Sequence, residues 1–185
     1  MRTGQPHCLR DEDCILDIPP NYKKSLHSCL DYSAKGIDLN GGDPIFPCDV
    51  HLSKIKSRTF TALYSHEALR KSDIDLIRSV RELDEELECW RISFPESVRP
   101  QLSFSRRQFK PKNTYVALTH MNYYCCVNLI HLAGGRCNAW RSDSASMTET
   151  LDCLHSSLAL SVEASRSLLL FLDDAEAQIS AACFW

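Results

Sequence analysis

Asp73-Ile74-Asp75-Leu76-Ile77-Arg78-Ser79-Val80-Arg81-Glu82-Leu83-Asp84-Glu85-Glu86-Leu87-Glu88-Cys89-Trp90 is the stretch that decides the fold class. Leu76, Val80, Leu83, Leu87 and Trp90 recur at steps of four, three, four and three, which lines them up along one side of a helix. This spacing predicts a structural seam that seats the helix on a neighbour, expected to be the helix that follows. The other side carries Arg78, Arg81, Glu82, Glu85, Glu86 and Glu88, with Arg78–Glu82 and Arg81–Glu85 at i,i+4, and reads as a solvated face. Ser72 is placed to cap the start, Asp73 and Asp75 suit the positive end of the helix dipole, and Pro95 stops the element.

Working outward, the segment from Cys48 places Leu52, Ile55, Phe60, Leu63 and Tyr64 at three-to-five-residue steps, a second amphipathic helix of about five turns. Residues 95–112 form a loop with three prolines and the basic run Arg106, Arg107, Lys110 and Lys112. Next, Tyr115 to Ala133 is apolar nearly all round and is expected to be the central helix, with Gly134-Gly135 as its stop. After a polar loop, Arg141 to Ser146, apolar residues from Leu151 to Ile179 keep helical spacing, and Asp173-Asp174 could mark a break between two helices. Residues 1–47, punctuated by Pro19-Pro20 and Gly41-Gly42, read as an extended Pro/Gly-rich arm with a turn or two of helix near Tyr22. The expectation is an all-α fold: an irregular bundle of about five helices over 48–185, preceded by the arm at 1–47.

Composition and motifs narrow the chemistry. The chain has 185 residues, 44% hydrophobic and 24% charged, enough to build a core, and its formal net charge of −3 supplies no global attraction to a phosphate backbone. The charge-free stretch Asn113 to Gly135 carries Thr119, His120, Asn122, Asn128 and His131, too polar for hydrocarbon. Without an apolar leader at Met1–His7, the ten scattered cysteines read as free, largely buried thiols. No phosphate loop, GxSxG elbow or HExxH pair occurs. His120, Cys125, Cys126, His131 and Cys137 are the nearest approach to a metal set and read as core residues. Catalytic, cofactor-binding and metal residues are therefore all expected to be absent. Trp90, Tyr123, Tyr124 and Trp140 read as packing rather than ligand stacking, and the basic run as a solvated loop.

Several segments in order resemble the middle, or regulatory, domain of fungal binuclear zinc-cluster transcription factors. Gly4-Gln5-Pro6 to Cys14 with Ile18-Pro19-Pro20 is similar to the family's Gly-Arg-Pro stretch, Gln5 standing for its arginine. Leu52-Ser53-Lys54-Ile55 leading to Leu63-Tyr64-Ser65, and the Leu83 to Trp90 run ending at Phe94-Pro95, resemble later segments. So do His120 to His131 and Glu163-Ala164-Ser165-Arg166. The resemblance implies regulation of RNA polymerase II transcription in a nucleus, through protein or effector contacts. It implies DNA binding and zinc only in a separate cysteine-cluster head, whose spacing is absent here, so no cofactor is expected in this chain. Protein partners are expected, homodimerisation stays open, and no membrane is involved. The start at the Gly-Gln-Pro stretch and the apolar end Cys183-Phe184-Trp185 read as truncation. Two other readings remain: a standalone helical interaction module, and an effector sensor with a polar cavity near Asn122, Asn128 and His131.

Overall fold

The computed structural model describes residues 49–102, 114–141 and 148–183, together with Pro20 and Tyr22. The rest of the N-terminal arm, the basic run Arg106 to Lys112, the loop 142–147 and the terminal Phe184-Trp185 lie outside the described residues. The class is all-α. In order come α1 (Val50–Tyr64), α2 (Asp73–Ile92), α3 (Thr114–Leu132) and α4 (Thr148–Cys183), with 3-10 turns at Ala68–Arg70, Glu96–Val98, Ala133–Arg136 and Asn138–Arg141.

Asp49 begins the bundle. Its backbone is extended, and its Oδ1 accepts the His51 amide at 3.1 Å, capping α1. The same carboxylate is almost wholly buried because two distant side chains also bond it: Tyr22 donates its hydroxyl at 2.6 Å, and Trp90 donates its indole N–H. The Val50 amide donates back to the Tyr22 hydroxyl at 2.7 Å. One carboxylate thus ties Tyr22, α1 and the C-terminal end of α2 together.

In α2, Ser72 caps the helix by accepting the Asp75 amide, and Asp73 and Asp75 occupy the first turn. Asp73 does more than face the dipole: it accepts from the Ala139 amide at 2.9 Å, anchoring the last 3-10 turn on α2. Leu76, Val80, Leu83, Leu87 and Trp90 are all buried. Helix α2 makes its broader contact with α1 and a narrower one with α3, where the Trp90 ring stacks on Tyr123 at 6.2 Å. The outer face is not purely solvated: Glu86 pairs with Arg58 of α1, and Glu88 holds Arg91, whose guanidinium also donates to the Pro100 carbonyl. Arg78 turns back to Asp75 at 3.4 Å. After Ile92 the chain does not simply loop. Arg99 donates to the Phe94 and Ile92 carbonyls, and Val98 and Pro100 are buried.

Helix α3 touches each of the other three helices, most broadly α4. It gives way at Ala133 to a 3-10 turn that includes Gly134 and Gly135. The glycine at 134 matters for space rather than for turning. A Cβ there would sit 3.3 Å from Leu154 Cδ2 and 3.7 Å from Ser157 Oγ of α4. Arg136 beyond the turn donates to the Leu63 carbonyl and lies over the Tyr64 ring at 5.3 Å, while Tyr64 donates to the Leu129 carbonyl, so the end of α1 is fastened to the end of α3.

Helix α4 is a single element of 36 residues. Asp173-Asp174 does not divide it. Asp173 faces solvent, and Phe171 and Ala175 on either side are buried, so the inward stripe continues past the pair. Aspartate's low helix propensity, well under about 1 kcal/mol per residue, is outweighed by that packing. Four long α-helices are found among the described residues, with no division at Asp173-Asp174.

Removing the Asp49 carboxylate takes away the acceptor of the buried Trp90 indole N–H and of the Tyr22 hydroxyl and uncaps α1. Asp49→Ala is expected to destabilise the protein by about 3 kcal/mol in urea unfolding, with Asp49→Asn costing less than half of that. Equal stability of Asp49→Ala and wild type would contradict this role.

Candidate functional site

The features with chemical potential converge on α3, whose polar side chains point into the bundle. Lys56 of α1 donates to Asn122 Oδ1 at 2.7 Å, and Asn122 Nδ2 returns to the Leu118 carbonyl. Asn128 takes a hydrogen bond from Ser161 at 2.6 Å and donates to Ser165 at 2.9 Å, both on α4. His131, only 4% exposed, lies between Ser157 Oγ at 2.9 Å and Asp84 Oδ1 at 3.1 Å. The sequence-expected cavity around Asn122, Asn128 and His131 is thus occupied by interhelical hydrogen bonds. These polar groups hold helices together rather than facing a ligand.

The Asp84–His131–Ser157 line has the composition of a hydrolytic triad, and its geometry decides against one. Nε2 of His131 donates to the carboxylate, and Nδ1 lies 2.9 Å from the Ser157 hydroxyl oxygen. Ser157 is buried in mid-helix, under the Gly134 backbone, and also bonds the His131 carbonyl. Its own backbone N–H and those of its neighbours lie within α4, leaving no donors aimed at a developing oxyanion.

His120 sits on the same helix one side over. It donates from Nε2 to the Val98 carbonyl at 2.9 Å, stacks on Phe171 at 5.1 Å, and pulls the turn after α2 onto α3. Burial lowers its pKa to about 4, the Val98 bond opposing the shift. Burial also raises the Tyr124 hydroxyl well above the usual phenol range, and Tyr123 to about 12; Tyr124 donates to the Gln101 carbonyl. Tyr123, Tyr124 and Trp90 are buried in the core, and Trp140 donates its indole N–H to the Gly134 carbonyl.

Among the described residues no group of three or more His, Cys, Asp or Glu side chains is placed to hold a metal. His120, Cys125, Cys126, His131 and Cys137 do not converge: Cys125 faces solvent while Cys126 beside it is buried near Thr59. Cys137 is buried, which raises its thiol to about 11 with help from Asp73. Cys89, Cys125, Cys126, Cys137 and Cys153 are free, yet Cys89 and Cys125 are exposed, so the expectation of buried thiols fails for those two. Cys89 lies on the charged outer side of α2, and Cys125 on a strip of α3 that the other described helices leave uncovered. The described groove, about 470 Å³, lies elsewhere, between the N-terminal halves of α2 and α4. Ile74, Ile77, Arg78, Arg81, Thr150 and Cys153 line it, and Arg81 donates to Cys153 Sγ at 3.4 Å. No described helix is long and apolar enough to cross a membrane.

Neither a family profile nor a solved structure matches the chain. It is similar to ABC-transporter-regulating transcription factors of Aspergillus oryzae and Aspergillus fumigatus, each 28% identical over 142 residues. Those alignments cover 77% of this chain and 15% of each relative. An uncharacterized transcriptional regulatory protein of Schizosaccharomyces pombe is 27% identical over 96% of this chain and 22% of its own length. The chain is thus related to fungal transcription regulators, and it spans less than a quarter of the length of these relatives.

A histidine held neutral by burial makes stability pH-dependent in a defined direction. The unfolded state binds a proton near pH 6.5 and the folded state only near pH 4, so the stabilisation is complete above 6.5 and is lost as pH falls towards 4. From pH 7 to pH 5 the His120 contribution is expected to drop by about 2 kcal/mol. In urea titrations His120→Gln should flatten that part of the profile; an unchanged slope would remove His120 as its source.

Proposed function

We propose that this chain is a non-catalytic regulatory domain of a fungal transcription regulator, corresponding to part of the middle domain of the zinc-cluster family. The observation that carries the reading is the similarity to three transcription regulators, together with the all-α class of the described residues. It acts in the nucleus on RNA polymerase II transcription through protein contacts. DNA is read by a separate zinc-cluster segment, and the chain itself binds neither zinc nor another cofactor. Catalysis has no part in it, since the triad-like line among the described residues is closed inside the bundle. The closure of Asn122, Asn128 and His131 by hydrogen bonds favours protein contact over effector sensing in the core. The Aspergillus relatives' names make ABC-transporter genes the first targets to examine.

Fusing the chain to a heterologous DNA-binding domain upstream of a reporter in a fungal host tests the reading. Reporter output is expected to change at least threefold in either direction, and to return to baseline when Leu83→Asp collapses the core. Unchanged output from a well-expressed, folded fusion would leave the alternative, a helical interaction module with no role in transcription.

A further inference from the structure

The groove between the N-terminal halves of α2 and α4 has no part in the regulatory reading. Its volume, about 470 Å³, falls within the roughly 300–1,000 Å³ of small-molecule sites. Arg78 and Arg81, one turn apart on α2, line it with Ile74 and Ile77, while α4 contributes Thr150 and Cys153. Among the described residues no acidic side chain lines it; Asp152 is next to Cys153 in the chain but outside the lining. Arg81 donates to Cys153 Sγ at 3.4 Å. Arg78 makes a long 3.4 Å pair with Asp75, and both partners are exposed, so little holds its guanidinium back from another anion. Ile74 is 71% exposed and offers apolar surface for an occupant to cover. One small molecule can thus meet two guanidiniums, a thiol and aliphatic surface together.

Cys89 and Cys125 reach solvent as well, and their surroundings differ from those of Cys153. About Cys89 on α2 stand Glu85, the Glu86–Arg58 pair and the Glu88–Arg91 pair, a set with excess negative charge. Burial raises the Cys125 thiol, and the nearby Lys56 gives its ammonium to Asn122 at 2.7 Å. Cys153 combines partial exposure, a cavity and two cationic side chains. Reactive cysteines occupy partly exposed, electropositive surroundings of this kind. The molecule that uses every group in the groove carries carboxylates for the arginines and an electrophilic sulfur for the thiol.

We propose that this groove is a site of thiol–disulfide exchange, which takes an anionic disulfide of the glutathione type and leaves Cys153 as a mixed disulfide. Cys153 Sγ attacks one sulfur of the bound disulfide, and the S–S bond breaks as the new one forms. The other half departs as a thiol with the proton that Cys153 gives up. Cys153 is oxidised and the departing half reduced, so the disulfide itself is the oxidant. Arg78 and Arg81 hold the carboxylates, and the retained half lies over Ile74 and Ile77. This goes beyond the regulatory reading and does not depend on it.

The test treats the reduced chain with glutathione disulfide and follows the adduct at each cysteine by peptide mass mapping, with uncharged hydroxyethyl disulfide as the comparison. Cys153 is expected to react roughly tenfold or more faster than Cys89 and Cys125 with glutathione disulfide, and to lose that lead with the uncharged one. The Arg78→Gln/Arg81→Gln double variant, both positions being exposed, should lose the preference while circular dichroism stays that of wild type. Should that variant misfold, raising the salt concentration on wild type gives the same reading, because screening shrinks a lead that rests on charge. Equal rates at Cys153, Cys89 and Cys125 with glutathione disulfide would overturn the site. So would a lead that survives the uncharged disulfide, the folded double variant or high salt.

Discussion

The contact between α3 and α4 is the constraint on which the rest of the structure depends. Ser157, Ser161 and Ala164 form a run of small residues on the inner side of α4, and Gly134 stands opposite its start. Small side chains let two helix backbones come close, and close backbones bring short polar side chains within bonding range. Asn128 and His131 then complete their hydrogen bonds against serines of α4 instead of water. An asparagine or histidine buried without such partners costs several kcal/mol, so the polar residues of α3 fix the register of α4 rather than merely tolerating it.

From that pair the other helices follow. Asp84 reaches His131 from α2, Lys56 reaches Asn122 from α1, and His120 draws in the turn after α2. At the far side Asp49 gathers Tyr22, the start of α1 and Trp90 on one carboxylate. The same economy explains why chemistry is missing from the described core. Asp84, His131 and Ser157, which have the side chains of an acid, a base and a nucleophile, are bonded in one line inside the bundle, and the Arg-lined groove lies apart from them.

What could be read beforehand depended on local repetition. The helix class, the Ser72 cap, the stop before Pro95 and the apolar α3 all follow from residues within a few positions of one another, so pattern alone reveals them. Cooperation between distant segments was not readable. Asp49 looks like a polar residue after Pro47 and Cys48, and nothing nearby announces that Trp90 and Tyr22 will bury it. Ser157 and Ser161 look like surface residues of α4 until Asn128 and His131 are set against them. The Asp173-Asp174 pair misled in the opposite sense: two acids suggest a break, but one faces solvent and the inward stripe continues. The ion pairs of α2 formed partly with α1 and across one turn, because tertiary neighbours compete with i,i+4 partners.

We propose that interhelical packing and hydrogen bonds hold the described helices without a metal. Thermal melting of the reduced chain, followed by far-UV circular dichroism with and without a zinc chelator, tests it most directly. The expected result is a strongly helical spectrum and one cooperative transition that the chelator leaves in place. Loss of helix on chelation, or melting without a cooperative transition, would contradict it.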